Sequence, residues 1–232
     1  MKHRWLFFLL CLLAAIGFAV APYLVFFVAP TEPTMGFIQK IFYFHVPCAW
    51  SMFLGAILSG IGGGLYLFSR GKRGGPLLLA GAELAVVFGL LVMITGPLWA
   101  RIAWGHYWVW DVRLTTSALV FLTFIAVLVA KRYSGATSMR VAAGLALLGA
   151  INVPFIYISV RIWNTIHPKT SVVPTLDPRM RLAFFISLAT FTFLAVMLLW
   201  LRLGVQDLHT RLDRVMLELD EAEAGLEAGA PR

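Results

Sequence analysis

Six apolar runs, each close to the ~20 residues that span a bilayer, leave this chain almost no fold outside a membrane. They fall near residues 5–29, 47–68, 77–98, 114–130, 141–160 and 182–203. Hydrocarbon offers backbone N–H and C=O groups no partner, so runs of this length are satisfied only as helices. The expectation is an all-α membrane protein: a bundle of six transmembrane helices over residues 1–204, then a short cytoplasmic C-terminal amphipathic helix over 205–232. Composition agrees. With 60% hydrophobic and 13% charged residues and a mean hydropathy of +0.86, the chain is too apolar to hide in a soluble core.

The first run has a basic start and contains Ala19-Val20-Ala21, which looks like a signal-peptidase site. Pro22 directly after it is unfavourable for processing, and the apolar run continues to Val28, so the segment reads as a retained first helix. Twelve of the 19 Lys and Arg residues lie on the face that carries both termini. The positive-inside rule makes that face cytoplasmic. A net charge of +8 is then a topology signal, since it forms no continuous basic groove for nucleic acid. The opposite loops are longer and richer in aromatics, His and Pro, and function is expected there.

Between the third and fourth runs lies Trp99 to Thr116, with Trp99, Trp104, Tyr107, Trp108 and Trp110 in a short polar stretch. Interfacial anchoring needs fewer rings, so a flat ligand is expected against them. His45 precedes the second run and His167 follows the fifth. An even number of crossings separates them from each other and from the aromatic segment, so all three share one face whichever face it is. Each His has a proline nearby, in F-H-V-P and I-H-P, which limits local backbone freedom. Two imidazoles and an indole platform match what haem needs: axial nitrogen ligands for iron and apolar contacts for the porphyrin.

Arg101 and Arg113 flank the aromatic segment and are candidate partners for haem propionates, with Lys40, Arg161 and Lys169 on neighbouring loops. Asp111 reads as the cap of the helix that begins near Leu114 or as a partner for an Arg. His106 lies inside the aromatic stretch as a competing ligand, whereas His3 and His209 fall on the other face and read as solvated. Cys11 and Cys48 show no C-x-x-C-H pattern, which argues against covalently attached haem and for two small packed side chains. Glu83 is the one acid inside a span, and a structural role, reaching the interface or bonding to a neighbouring helix, is expected of it rather than a proton relay. In the tail, Val205, Leu208, Leu212, Val215 and Leu219 mark an apolar stripe at heptad spacing. That helix is expected to fold back on the bundle, lie on the membrane or dock a small partner.

The run W-G-H-Y-W-V-W-D-V-R-L-T from Trp104 to Thr115 closely resembles the tryptophan-rich WWD signature of haem-handling proteins in c-type cytochrome biogenesis. Together with six spans, His45-Val46-Pro47 and Trp163-Asn164-Thr165-Ile166-His167, it resembles the CcmC family, also called haem exporter protein C. Where that family commonly has further aromatics after W-G, this chain has His106 and Tyr107. The resemblance implies non-covalent haem b at the periplasmic face of a bacterial inner membrane. His45 and His167 would hold the metal, with Trp104, Tyr107, Trp108, Trp110, Arg101 and Arg113 around the macrocycle. It also implies presentation of haem to the chaperone CcmE, rather than enzymatic turnover, with CcmD and the CcmAB transporter subunits as further partners. The rival class is a bis-His b-type cytochrome serving quinone, which generally carries its ligands deeper inside helices. A transporter with an aromatic gate would need inverted repeats or broken-helix pairs, and none stands out.

Overall fold

The computed structural model describes residues 4–69, 74–133, 135–163, 166–167 and 172–229. Its elements in chain order are α1 (Arg4–Tyr23), a π-helical turn (Leu24–Val28), a 3-10 turn (Phe37–Ile41), α2 (Phe42–Phe68), α3 (Gly75–Trp104) and α4 (Val112–Tyr133). A second 3-10 turn (Gly135–Thr137), α5 (Ser138–Ile162), the one-turn α6 (Val172–Thr175) and α7 (Pro178–Gly229) complete it. Six segments among the described residues are long and apolar enough to cross a membrane: Trp5–Val28, Phe37–Phe68, Gly75–Trp104, Val112–Tyr133, Ser138–Ile162 and Pro178–Glu221. The all-α membrane bundle expected from the apolar runs is therefore present.

Two span ends differ from the expected ones, and both differences shape the site. The second span begins at Phe37, because the apolar 3-10 turn feeds directly into α2. His45 thus lies in the first turn of α2 rather than ahead of it, with Pro47 a half-turn further on. The third helix continues through Pro97 to Trp104 and stops at Gly105, whose φ of 80° is the left-handed conformation glycine adopts freely. Trp99, Arg101 and Trp104 are therefore helical, and the aromatic connection shrinks to residues 105–111.

Packing follows the membrane rule that small residues let backbones approach. A methyl group on Gly81 of α3 would stand 2.5 Å from the Ser59 amide nitrogen of α2, and one on Gly55 would stand 2.7 Å from that of Ala85. The Ser59 hydroxyl crosses the same seam to donate to Leu78 O at 2.8 Å. Around this pair, Met52, Ala56, Leu84, Phe88, Val120, Phe124, Ala146 and Ile156 form the main core. A smaller cluster of Val25, Tyr43, Met180, Ala183 and Phe184 joins the end of the first span to α2 and α7. Cys48 is buried and Cys11 half-buried, and both thiols are free.

Glu83 of α3 pairs in two-pronged fashion with Arg202 of α7: Nη2 donates to Oε1 at 2.7 Å and Nε donates to Oε2. The intramembrane acid thus does bond to a neighbouring helix. Removing it strands the guanidinium among apolar helices. Glu83→Ala is expected to destabilise the protein by about 2 kcal/mol, a little below the full insertion cost of a lone charge, because both side chains are about a third exposed. Thermal unfolding in detergent checks this, and Glu83→Ala/Arg202→Ala should cost less than the two single losses added.

α7 is one helix through Gly204 and onward, so the sixth span and the tail are continuous. Val205, Leu208, Leu212, Val215 and Leu219 are exposed. The tail therefore does not fold back on the bundle, because an unbroken helix offers no turn that would return it.

Candidate ligand-binding site

His45 and His167 come together at the end of the bundle that holds the aromatic connection. Both line a cavity of about 440 Å³, a size suited to a small-molecule or cofactor ligand, whose other walls include Trp99, Arg113, Phe42, Val46, Val173, Leu176 and Met180. A narrower recess of about 70 Å³ shares His45, His167, Trp99 and Arg113 with it and adds Trp104, Tyr107 and Trp108. The two imidazoles stand where an apolar chamber meets the tryptophan cluster.

Each His is fixed by its own neighbourhood. His45 Nδ1 lies 2.8 Å from the Thr95 hydroxyl of α3. Its ring packs against Gly96, where a methyl group would come within 3.2 Å of Cε1. His167 meets Trp104 edge-on, with ring centroids 6.3 Å apart. Trp104 in turn packs edge-on against Trp99 at 5.1 Å. Asp111 Oδ1 accepts from the Leu114 amide at 2.7 Å, capping α4 as its position in the sequence indicates. Its second oxygen accepts from the Ile166 amide at 3.3 Å, which ties the backbone beside His167 to the aromatic connection.

The polar complement of the cavity is lopsided. Trp99 Nε1, Trp108 Nε1 and Arg113 Nη1 are buried donors with no hydrogen-bond partner among the described residues. Such orphans are rare and costly, and three of them on one site fit an anionic group that would accept from them. Glu32 lines the larger cavity as well, and its carboxylate accepts from the Thr34 hydroxyl at 2.6 Å and the Met35 amide at 2.6 Å. Those bonds, the Thr34 hydroxyl first, hold its carboxyl below the usual carboxylate range. The lining therefore includes an acidic group as well as hydrogen-bond donors.

Six of the eight residues singled out from the sequence line these cavities: His45, His167, Trp104, Tyr107, Trp108 and Arg113. Arg101 and Trp110 do not line either one. Arg101 donates to Gly105 O at 2.5 Å and stacks over Tyr107 at 5.7 Å. Trp110 is 80% exposed, with its ring 5.6 Å from that of Trp108. Lys40 is also diverted: it is buried, and its ammonium donates to the carbonyls of Ala29 at 2.6 Å and Pro30 at 3.3 Å. Arg161 donates to the Tyr157 hydroxyl at 3.1 Å on the exposed surface. His106 is exposed and lines neither cavity, and exposed His209 bonds through Nδ1 to Val205 O, one turn back on its own helix. Lys169, His3, Asn164 and Thr165 lie outside the described residues. Sequence reasoning missed Thr95 and the chamber wall of Phe42, Val46, Val173, Leu176 and Met180. A lone hydroxyl in the apolar run one turn before Trp99 was the only signal available.

The chain is similar throughout most of its length to known proteins. The family model described as heme exporter protein C matches residues 1–218. Heme exporter protein C of Bradyrhizobium diazoefficiens is 36% identical over 177 residues, covering 73% of this chain and 67% of that one. The protein of the same name from Escherichia coli (strain K12) is 32% identical over 183 residues, covering 75% and 73%. A ccmC-like mitochondrial protein of Marchantia polymorpha, named for cytochrome c biosynthesis, is 32% identical over 179 residues, covering 76% and 77%.

Proposed function

The chain belongs to the heme exporter protein C family, and on that premise we propose that it binds haem b non-covalently between His45 and His167 and hands it on for c-type cytochrome maturation. The observation that carries this reading is the juxtaposition, in one cavity, of two imidazoles from distant parts of the sequence with three unpartnered buried donors. Neutral imidazole is a good nitrogen ligand for haem iron. The apolar wall of Phe42, Val46, Val173, Leu176 and Met180 suits the porphyrin faces, and the tryptophan side supplies further ring contact. Propionates belong at Arg113, since the ionised Glu32 carboxylate repels them.

The role proposed for the protein is presentation. Its residues bind the macrocycle, orient it and exclude water from the iron, and no covalent bond within the macrocycle is made or broken by a side chain of this chain. The iron supplies the Lewis acidity that His45 and His167 satisfy. On the charge distribution, both termini are cytoplasmic and the site faces the periplasm of a bacterial inner membrane. The haem chaperone CcmE is the receiver there, and CcmD and the CcmAB subunits complete the assembly. The exposed apolar stripe from Val205 to Leu219 is on the cytoplasmic side in this orientation, away from the transfer site.

Titration of the purified protein in lipid nanodiscs with haemin tests the reading directly. Saturable binding of one haem, with the spectrum of two nitrogen axial ligands in both oxidation states, is the expected result. A protein that takes up no haem, or takes it up without a nitrogen-ligand spectrum, would overturn it.

A further inference from the structure

We infer that Thr95 is a positioning residue for His45, holding the imidazole in the tautomer that offers its Nε2 lone pair to the cavity. This rests on the reading of His45 as an iron ligand and adds a residue that itself lines neither cavity. Thr95 Oγ1 lies 2.7 Å from Leu91 O, one turn back on α3, and 2.8 Å from His45 Nδ1 on α2. A hydroxyl has one proton to give. The Leu91 carbonyl can only accept, so it takes that proton. Toward His45 the Thr95 oxygen is left as an acceptor, and Nδ1 of the neutral imidazole must carry the ring proton. Nε2 then keeps its lone pair, the form in which a histidine binds a metal.

The same bond fixes the ring plane. His45 cannot rotate about its Cβ–Cγ bond without leaving Thr95, and the bare backbone at Gly96 lets the ring approach α3 closely. Both helices meet on the close-packed Gly55–Gly81 seam, so the orientation is set by two rigid elements rather than by a loop. Outer hydrogen bonds of this kind raise the basicity of a metal-bound imidazole and orient it. A Thr hydroxyl that back-bonds to its own helix is a weaker acceptor than a carboxylate, so the effect belongs at the lower end of the usual range.

The experiment compares wild type, Thr95→Val, Thr95→Ser and His45→Ala in lipid nanodiscs, by haemin titration and by the reduction potential of the bound haem. Thr95→Val keeps the shape and removes the acceptor. It is expected to weaken haem binding about tenfold and to raise the potential, because an imidazole without an Nδ1 acceptor donates less to iron. Thr95→Ser is expected to restore both. Loss of affinity with an unchanged potential, or a Thr95→Ser protein no better than Thr95→Val, marks a packing role and overturns the inference. So does wild-type behaviour of Thr95→Val beside a weakened His45→Ala, which leaves the ligand reading standing. Wild-type affinity in His45→Ala instead overturns the ligand reading itself. Thr95→Ala, read in the same two ways, replaces Thr95→Val if that protein fails to assemble.

Discussion

Replacing either His45 or His167 with Ala is expected to weaken haem binding by more than about 100-fold, beyond the upper end of what loss of an outer hydrogen bond costs a metal site. The spectrum should change from two nitrogen ligands to one. The two losses differ in kind, because the two residues are held differently. His45 stands on a helix that is locked to α3 by small-residue packing and by Thr95. His167 depends on the ring contact with Trp104 and on the bond from the neighbouring Ile166 amide to Asp111. Added imidazole should therefore recover the spectrum better in His45→Ala, where removal of the ring leaves a preformed gap against Gly96. Titration of both variants with and without imidazole checks this. Unchanged affinity and spectrum in one of them would remove that residue from the ligand set.

The bundle is legible from the sequence because hydropathy registers what the bilayer demands, and that demand is local to each span. The span ends are less legible. Pro97 would end a helix in water, yet α3 runs on to Trp104, as helices packed in a membrane bundle tolerate an internal proline. That continuation also decides which candidates face the site. Trp99 lines the cavity, and Arg101, two residues on and rotated roughly 200° about the helix axis, turns out to the Tyr107 ring. Trp110 shares the composition of its neighbours but sits past the helix end on the exposed side. Lys40 has the right charge and the right face, but the chain turns extended at Ala29 as it leaves the first span, and the carbonyls of Ala29 and Pro30 claim its ammonium. The two histidines could be paired by parity alone, since crossing number fixes the face. The chamber wall could not be read, because Val173, Leu176 and Met180 are ordinary apolar residues that only tertiary packing brings to His45 and His167.

Arg113 carries the other large expected effect, and a change in the ligand isolates it. Its Nη1 is buried without a partner among the described residues, and so are the indole nitrogens of Trp99 and Trp108 in the same recess. A guanidinium left so would be expensive unless an anion completes it when the site is filled. Arg113→Gln should weaken haem binding by about 10- to 100-fold, the equivalent of the 1.5–3 kcal/mol that a hydrogen bond to a charged group contributes. Binding of haem dimethyl ester, whose propionates carry no charge, should be weak in the wild type and nearly the same in Arg113→Gln. Arg101→Gln, with its side chain turned to Gly105 and Tyr107, should leave both ligands almost unaffected. If Arg113→Gln weakens the ester as much as the free acid, the residue shapes the pocket without reading charge. The three donors would then need another anion to account for them.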